Sequence, residues 1–72
     1  MNITIDTQST TTIAAITGRI NTLTAGELEA TILPLISDTH PSITLNCTHV
    51  DYISSSGLRV FILADKKSQQ LN

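Results

Sequence analysis

Three consecutive serines, Ser54, Ser55 and Ser56, stand with Gly57 between an extended run and an apolar one. A helix starting there presents unpaired N–H groups and a partial positive charge, a setting suited to an anion, and Gly57 would let the backbone approach it. A serine in this position can cap the helix, carry a phosphate whose oxygens meet the first-turn N–H groups, or act as a nucleophile. The third chemistry needs His40 or His49 as base. It also needs a glycine on each side of the serine at fixed spacing, and only Gly57 is present, so a hydrolase is set aside. Asp51 can orient the turn by accepting backbone N–H bonds or can face a partner. Tyr52 and Ile53 can form an apolar contact patch or pack the loop, packing being favoured for Ile53. Arg59 falls in the first helical turn, where a cation opposes the helix dipole; a contact with an acidic surface or with a phosphate would offset that cost, a solvated face residue being the favoured reading.

The remaining reactive side chains read as structural. His40 and His49 lie near strand ends, where exposed polar groups are ordinary, and no Cys/His cluster has the spacing of metal ligands. Cys47 continues the apolar alternation of Ile43 and Leu45, which makes it a buried, inert thiol. No cofactor or metal site is expected.

The elements that must position the serines follow from periodicity. Asn2 to Gln8 alternates Ile3 and Ile5 with polar residues, as a half-buried strand does. Thr11 to Thr17 is β-branched without clean alternation and reads as a more central strand that Gly18 ends. Thr24-Ala25-Gly26-Glu27 has the form of a capping box, with Leu23 and Leu28 placed for a hydrophobic staple. A helix is therefore expected from Ala25 to about Ile36 or Ser37, its last turn loosened by Pro34. Ile43, Leu45 and Cys47 mark a third strand, and a second helix is expected from about Ser56 to Gln69, with Ser56 as its cap. The early turns of that helix are apolar almost all round, implying burial between layers, and Lys66 and Lys67 suit its C-terminal half. The order β-β-α-β-α gives an α/β layer with right-handed crossovers. It also leaves the third strand with an open edge, to be covered by more chain or by a second copy.

Composition narrows the function. Seventy-two residues allow one small domain, whose core is expected to need support from a partner or from more chain. Ten Ile and eight Leu against one Phe, one Tyr and no Trp exclude an aromatic platform for stacking bases. The net charge of −2 and scattered basic residues leave no nucleic-acid footprint. No apolar run is long enough to span a membrane and the first residues do not form a leader, so the expected location is the cytoplasm.

Asp51-Tyr52-Ile53-Ser54-Ser55-Ser56-Gly57-Leu58-Arg59-Val60-Phe61 resembles the signature of the STAS domain found in bacterial anti-sigma factor antagonists. Collinear pieces upstream extend the likeness: Asn2-Ile3-Thr4-Ile5, Thr17-Gly18-Arg19-Ile20, Thr24-Ala25-Gly26-Glu27-Leu28 and Ile43-Thr44-Leu45-Asn46. The resemblance implies one STAS-type domain over residues 1–72, a mixed β-sheet with helices packed on one side, lacking the strand and helix that follow in the family. It implies no catalysis. Such a domain binds an anti-sigma factor that is also a serine kinase, releasing the sigma factor. Phosphorylation of one serine switches binding off, and a serine phosphatase restores it. The acceptor lies two residues before the motif glycine and maps to Ser55, with Ser56 as second choice; Ser54 stands where several members carry an acid. Asp51, Tyr52, Ile53, Ser54, Ser55, Ser56, Gly57 and Arg59 are the partner-binding residues this implies, with a homodimer through the open edge as a further expectation. The alternative is a STAS-type accessory or scaffold subunit of a transport system or stressosome, without the phosphoswitch.

Overall fold

Residues 1–71 are described by the computed structural model. The chain runs through β1 (Asn2–Thr7), β2 (Thr11–Ile20), α1 (Thr22–Ile32), a short 3-10 turn (Leu33–Leu35), β3 (Ser42–Ile53) and α2 (Ser55–Leu71). The sheet order is β1-β2-β3, with β1 antiparallel and β3 parallel to β2. This is the expected β-β-α-β-α order, and β2 is the central strand.

Alternation on β2 decides which face is covered. Thr12, Ala14, Ile16 and Ile20 are buried, and the last three form a core with Ala25, Leu28 and Ile32 of α1, Ile36, and Val60 and Ala64 of α2. Ile3 pairs with Ile16 and packs against this core. The intervening positions of β2 belong to the opposite face, where Thr4 pairs with Ala15, Asp6 with Ile13, and Thr44 also with Ile13. Both helices therefore pack on one side, and much of the threonine content lies on the other.

Two corrections concern the strands. β2 does not stop at Gly18 but continues to Ile20, with Gly18 at φ 104, a left-handed conformation that glycine adopts without strain, inside the strand. Met1 lies against that glycine. β3 is likewise longer than the run Ile43 to Cys47, and the reason is a change of period. Pairing slips twice along it, so that three β3 steps oppose two of β2 between Asn46 and His49, and two oppose one between Val50 and Tyr52. Each extra residue is a bulge that flips the alternation. Cys47, Val50 and Ile53, three apart, therefore all pack against the core.

The first helix begins earlier than the Thr24 box predicts. Asn21 is the cap, its Oδ1 accepting from the N–H groups of Leu23 and Thr24, each at 3.0 Å. Thr24 is the N3 partner instead, its Oγ1 accepting from the Asn21 N–H at 2.9 Å and donating to the Arg19 carbonyl at 2.9 Å. Asparagine caps as well as threonine or better, and Thr24 gains a second bond by moving inside. Glu27 is then left exposed and Leu23, placed in the first turn, is 89% exposed rather than stapled. Pro34 acts as expected, converting the last turn to the 3-10 segment.

α2 is not buried all round. Gly57, Val60 and Ala64 face the core while Leu58 and Ile62 are 50% and 58% exposed. Its Lys67 does not merely sit near a dipole end. The ammonium reaches across to the Leu33 carbonyl at 2.6 Å, and Ser68 Oγ donates to the Pro41 carbonyl. The two contacts fasten the far half of α2 to the segment that returns from α1 to β3. Alongside, Ile43 and Leu45 of β3 form a groove with Phe61, Ala64, Asp65 and Ser68 of α2. β3 is an edge of the sheet among the described residues.

The cap assignment is testable by thermal denaturation. Asn21→Ala should cost about 1 kcal/mol, the usual loss for an N-cap. Glu27→Ala should be near neutral. The reverse order would restore the Thr24 box.

Candidate functional site

The serine turn is built where two helix starts meet. The Ser54 N–H donates to the Ile20 carbonyl at 2.8 Å, joining the end of β3 to the end of β2. Asn21, the next residue after Ile20, caps α1, while Ser54 caps α2. Ser54 Oγ accepts from the Gly57 N–H at 3.2 Å, and its carbonyl accepts the first helical bond from Leu58 at 3.0 Å. Ser54, rather than Ser56, is thus the cap. The displacement frees the two serines that follow: Ser55, the first helical residue, is exposed, and Ser56 is half-buried.

Gly57 has a different purpose from the one its place beside an anion site suggests. It is buried, its φ is not positive, and a Cβ there would lie 2.5 Å from Ile20 Cγ2 and 2.9 Å from Ile53 Cγ1. The absence of a side chain lets α2 descend onto β2 and β3. Gly57 thus fixes where Ser55 stands.

Tyr52 and Ile53 divide their tasks. Ile53 packs against the core beneath Gly57, whereas Tyr52 is 45% exposed, with the Arg19 guanidinium stacked 4.5 Å from its ring centroid. The two residues are register partners across β2 and β3, so the cation–π contact follows from the pairing. Asp51 is exposed at the second bulge. Arg59 is exposed and lies five residues past the cap, beyond the first turn, so its opposition to the dipole is weaker than the sequence suggests. The structure therefore gathers Tyr52, Ser54, Ser55 and Ser56 at one end of the sheet, adds Arg19, and leaves Ile53 and Gly57 underneath. Arg19 and Leu23 were not read as site residues from the sequence. The signal for Arg19 was its place before the end of β2, visible only once Tyr52 is paired with it.

Among the described residues no group of three or more His, Cys, Asp and Glu is clustered to hold a metal ion, and no helix is long and apolar enough to cross a membrane. His40 belongs to the turn before β3, where its N–H and carbonyl bond with Ser37. Cys47 is half-buried, and desolvation raises its thiol above the ordinary value.

An exposed serine heading a helix that lies on one face of a mixed sheet describes a small two-layer α/β module with its site on an open surface. The chain belongs to the STAS domain family, whose model matches residues 2–72. It is 34% identical over 71 residues to BtrV of Bordetella bronchiseptica, a curated protein named as an anti-sigma factor antagonist. The alignment covers 99% of this chain and 61% of BtrV, so the chain spans about three fifths of that relative. The fold superposes on the anti-sigma factor antagonist SpoIIAA in its unphosphorylated form with a TM-score of 0.81 at 14% identity, over 97% of this chain and 66% of that one. An anti-sigma factor antagonist from Mycobacterium paratuberculosis gives 0.82 at 21% identity, over 92% of this chain and 56% of its own.

Two outcomes follow from this packing. Gly57→Ala should lower stability by about 1–3 kcal/mol, the usual cost of overfilling a packed core, as read from a denaturant midpoint. A neutral result would mean that α2 can lift freely from the sheet. For Cys47, burial favours the neutral thiol, so its contribution is constant below the ordinary thiol value of about 8.5. Stability should then fall as rising pH ionises the unfolded thiol first, until the folded thiol ionises too. Cys47→Ser should remove that alkaline slope in denaturant titrations; a slope kept by the variant would assign it elsewhere.

Proposed function

We propose that this module is an anti-sigma factor antagonist that binds an anti-sigma factor with serine-kinase activity and frees the sigma factor, with phosphorylation of Ser55 as its off switch. It is a binding protein acting on transcription in the cytoplasm, and a serine phosphatase resets it. The family membership and the relatives' names support the class. The observation that carries the switch is the division of labour at the turn: Ser54 caps α2, leaving Ser55 exposed at the first helical position.

The physical consequences of a phosphate on Ser55 are opposite for folding and for binding. At the start of a helix the added charge of about −1.5 to −2 meets first-turn N–H groups and the positive end of the dipole, so the fold tolerates it. In an interface the same charge must lose its water. A few kcal/mol against binding corresponds to roughly a hundredfold in affinity. Ser55 is the stronger acceptor because Ser56 is half-buried.

The test uses an anti-sigma factor kinase purified from the same genome, ATP and this chain. One phosphate should be gained and fragmentation should place it on Ser55. Calorimetric titration should then show Ser55→Ala binding as the unmodified chain does, with the phosphorylated chain weakened about a hundredfold and Ser55→Asp weakened less. Phosphate found on Ser56, or equal affinity for all forms, would overturn the switch. Stable binding to a transporter ATPase without modification would support the accessory-subunit reading instead.

A further inference from the structure

Among the described residues the sheet has two open edges, β1 and β3, and they differ in how well each can receive another strand. Along β3 the pairing slips twice, and at the first slip the Thr48 N–H is taken by Asn46 Oδ1 at 3.0 Å. Bulges of this kind blunt an edge. β1 has no such protection. Its six residues pair with β2 without a shift, and they include no proline, no lysine and a single charge, that of Asp6.

The β1–β2 hairpin fixes which backbone groups of β1 face outward. The Gln8 N–H donates to the Thr11 carbonyl at 2.8 Å, one step beyond the Thr7 and Thr12 register pair. Bonded and non-bonded pairs alternate along an antiparallel ladder, so Asp6, Thr4 and Asn2 direct their N–H and C=O groups to β2. Ile3, Ile5 and Thr7 therefore turn theirs to the open edge. The side chains add a second observation. Ile5 is the register partner of buried Ala14 and belongs to the helix-covered face, yet it is 41% exposed. Thr4 and Asp6 alternate with it and are exposed on the other face.

We propose that this edge receives β1 of a second copy, antiparallel and centred on Thr4, which joins two three-stranded sheets into one of six strands. Outward groups must meet outward groups, so Ile3, Ile5 and Thr7 must lie opposite one another's kind. Centring on Thr4 sets Ile3 opposite Ile5 of the second copy and Ile5 opposite its Ile3. The apolar side chains of the helix-covered face then meet each other, and the two pairs exchange four backbone bonds. On the other face Thr4 meets Thr4, and Asp6 meets an Asn2 amide that can donate to its carboxylate. Centring on Ile5 would instead set Ile3 against Thr7, and centring on Asp6 would bring two carboxylates face to face. The strand is complementary to itself, which makes a second copy the occupant. β2 lies between β1 and β3, so the pairing uses no residue of the serine turn, and the dimer presents two such turns. One strand pair is a small interface, so the dimer should form and dissociate with concentration.

The experiment is sedimentation equilibrium of the full chain over a range of concentrations, which should show monomer passing to dimer and no further. Ile5→Lys places an edge-guarding charge opposite Ile3 and should weaken association by about tenfold or more. Ile62→Gln, at an exposed apolar position on α2, should leave it unchanged. The register is read by cysteine cross-linking in a Cys47→Ser background. Thr4→Cys should oxidise to a covalent dimer, because directly opposite residues of a non-hydrogen-bonded pair lie within disulfide reach. Asp6→Cys, out of line with its counterpart, should not. A chain that stays monomeric throughout, or an Ile5→Lys variant that associates as the unaltered chain does, overturns the proposal. Cross-linking of Asp6→Cys in preference to Thr4→Cys overturns it as well. If circular dichroism finds Ile5→Lys unfolded, the two cysteine variants decide. Growth beyond the dimer, or loss of association in Ile62→Gln, assigns the contact to another surface and also overturns it. None of these outcomes bears on the phosphorylation of Ser55, so the dimer and the antagonist reading stand or fall separately.

Discussion

The position of Ser55 depends on how closely α2 can approach the ends of β2 and β3, and Gly57 sets that distance. With a Cβ only 2.5 Å from Ile20 and 2.9 Å from Ile53, any other residue would push the helix away or force two core side chains from their rotamers. The Ser54 N–H bond to the Ile20 carbonyl needs the same closeness. One missing side chain thus joins the fold to the site: it lets Ser54 reach both β2 and the cap, and so leaves the next serine outside.

The order of elements was legible because each carries a strong local pattern. β1 alternates, Ile43 to Cys47 alternates, and Leu28, Ile32, Leu35 and Ile36 recur at helical spacing. Exact starts were not legible, since caps compete. Asn21, Thr24, Ser54 and Ser56 are all good N-cap residues, and the choice between them is made by contacts distant in sequence. Ser54 wins because Ile20 receives its N–H, and Asn21 because Thr24 can then also bond the Arg19 carbonyl. The serine signature marks the candidate site. Arg19 and Leu23 lay beyond reach, since strand pairing places one and a shifted cap turns the other outward.

The bulges of β3 solve a related problem. A regular strand continuing from Cys47 would send Val50 to the uncovered face. The first extra residue turns Val50 to the core and the second restores the original phase, so that Ile53 also packs there, beneath Gly57, while Tyr52 remains outside against Arg19. The bulges also confine regular pairing geometry to the first part of β3, where Ile43 and Leu45 line the groove beside α2.

The cap, Ser54, is also the residue that precedes Ser55, the acceptor proposed above. Serine and aspartate both rank high at the N-cap, since either oxygen accepts from the N–H groups of the first turn. Ser54, standing where several members of the family carry an acid, therefore keeps the structural role of that position while removing a negative charge beside Ser55. A phosphate on Ser55 would meet the helix start without a neighbouring carboxylate, so less repulsion opposes its addition. An acidic cap would add charge of its own to the turn and give part of the dipole's effect to itself before any phosphate arrived. With a neutral cap, the phosphate proposed for Ser55 would be the one negative charge within the turn from Ser54 to Gly57.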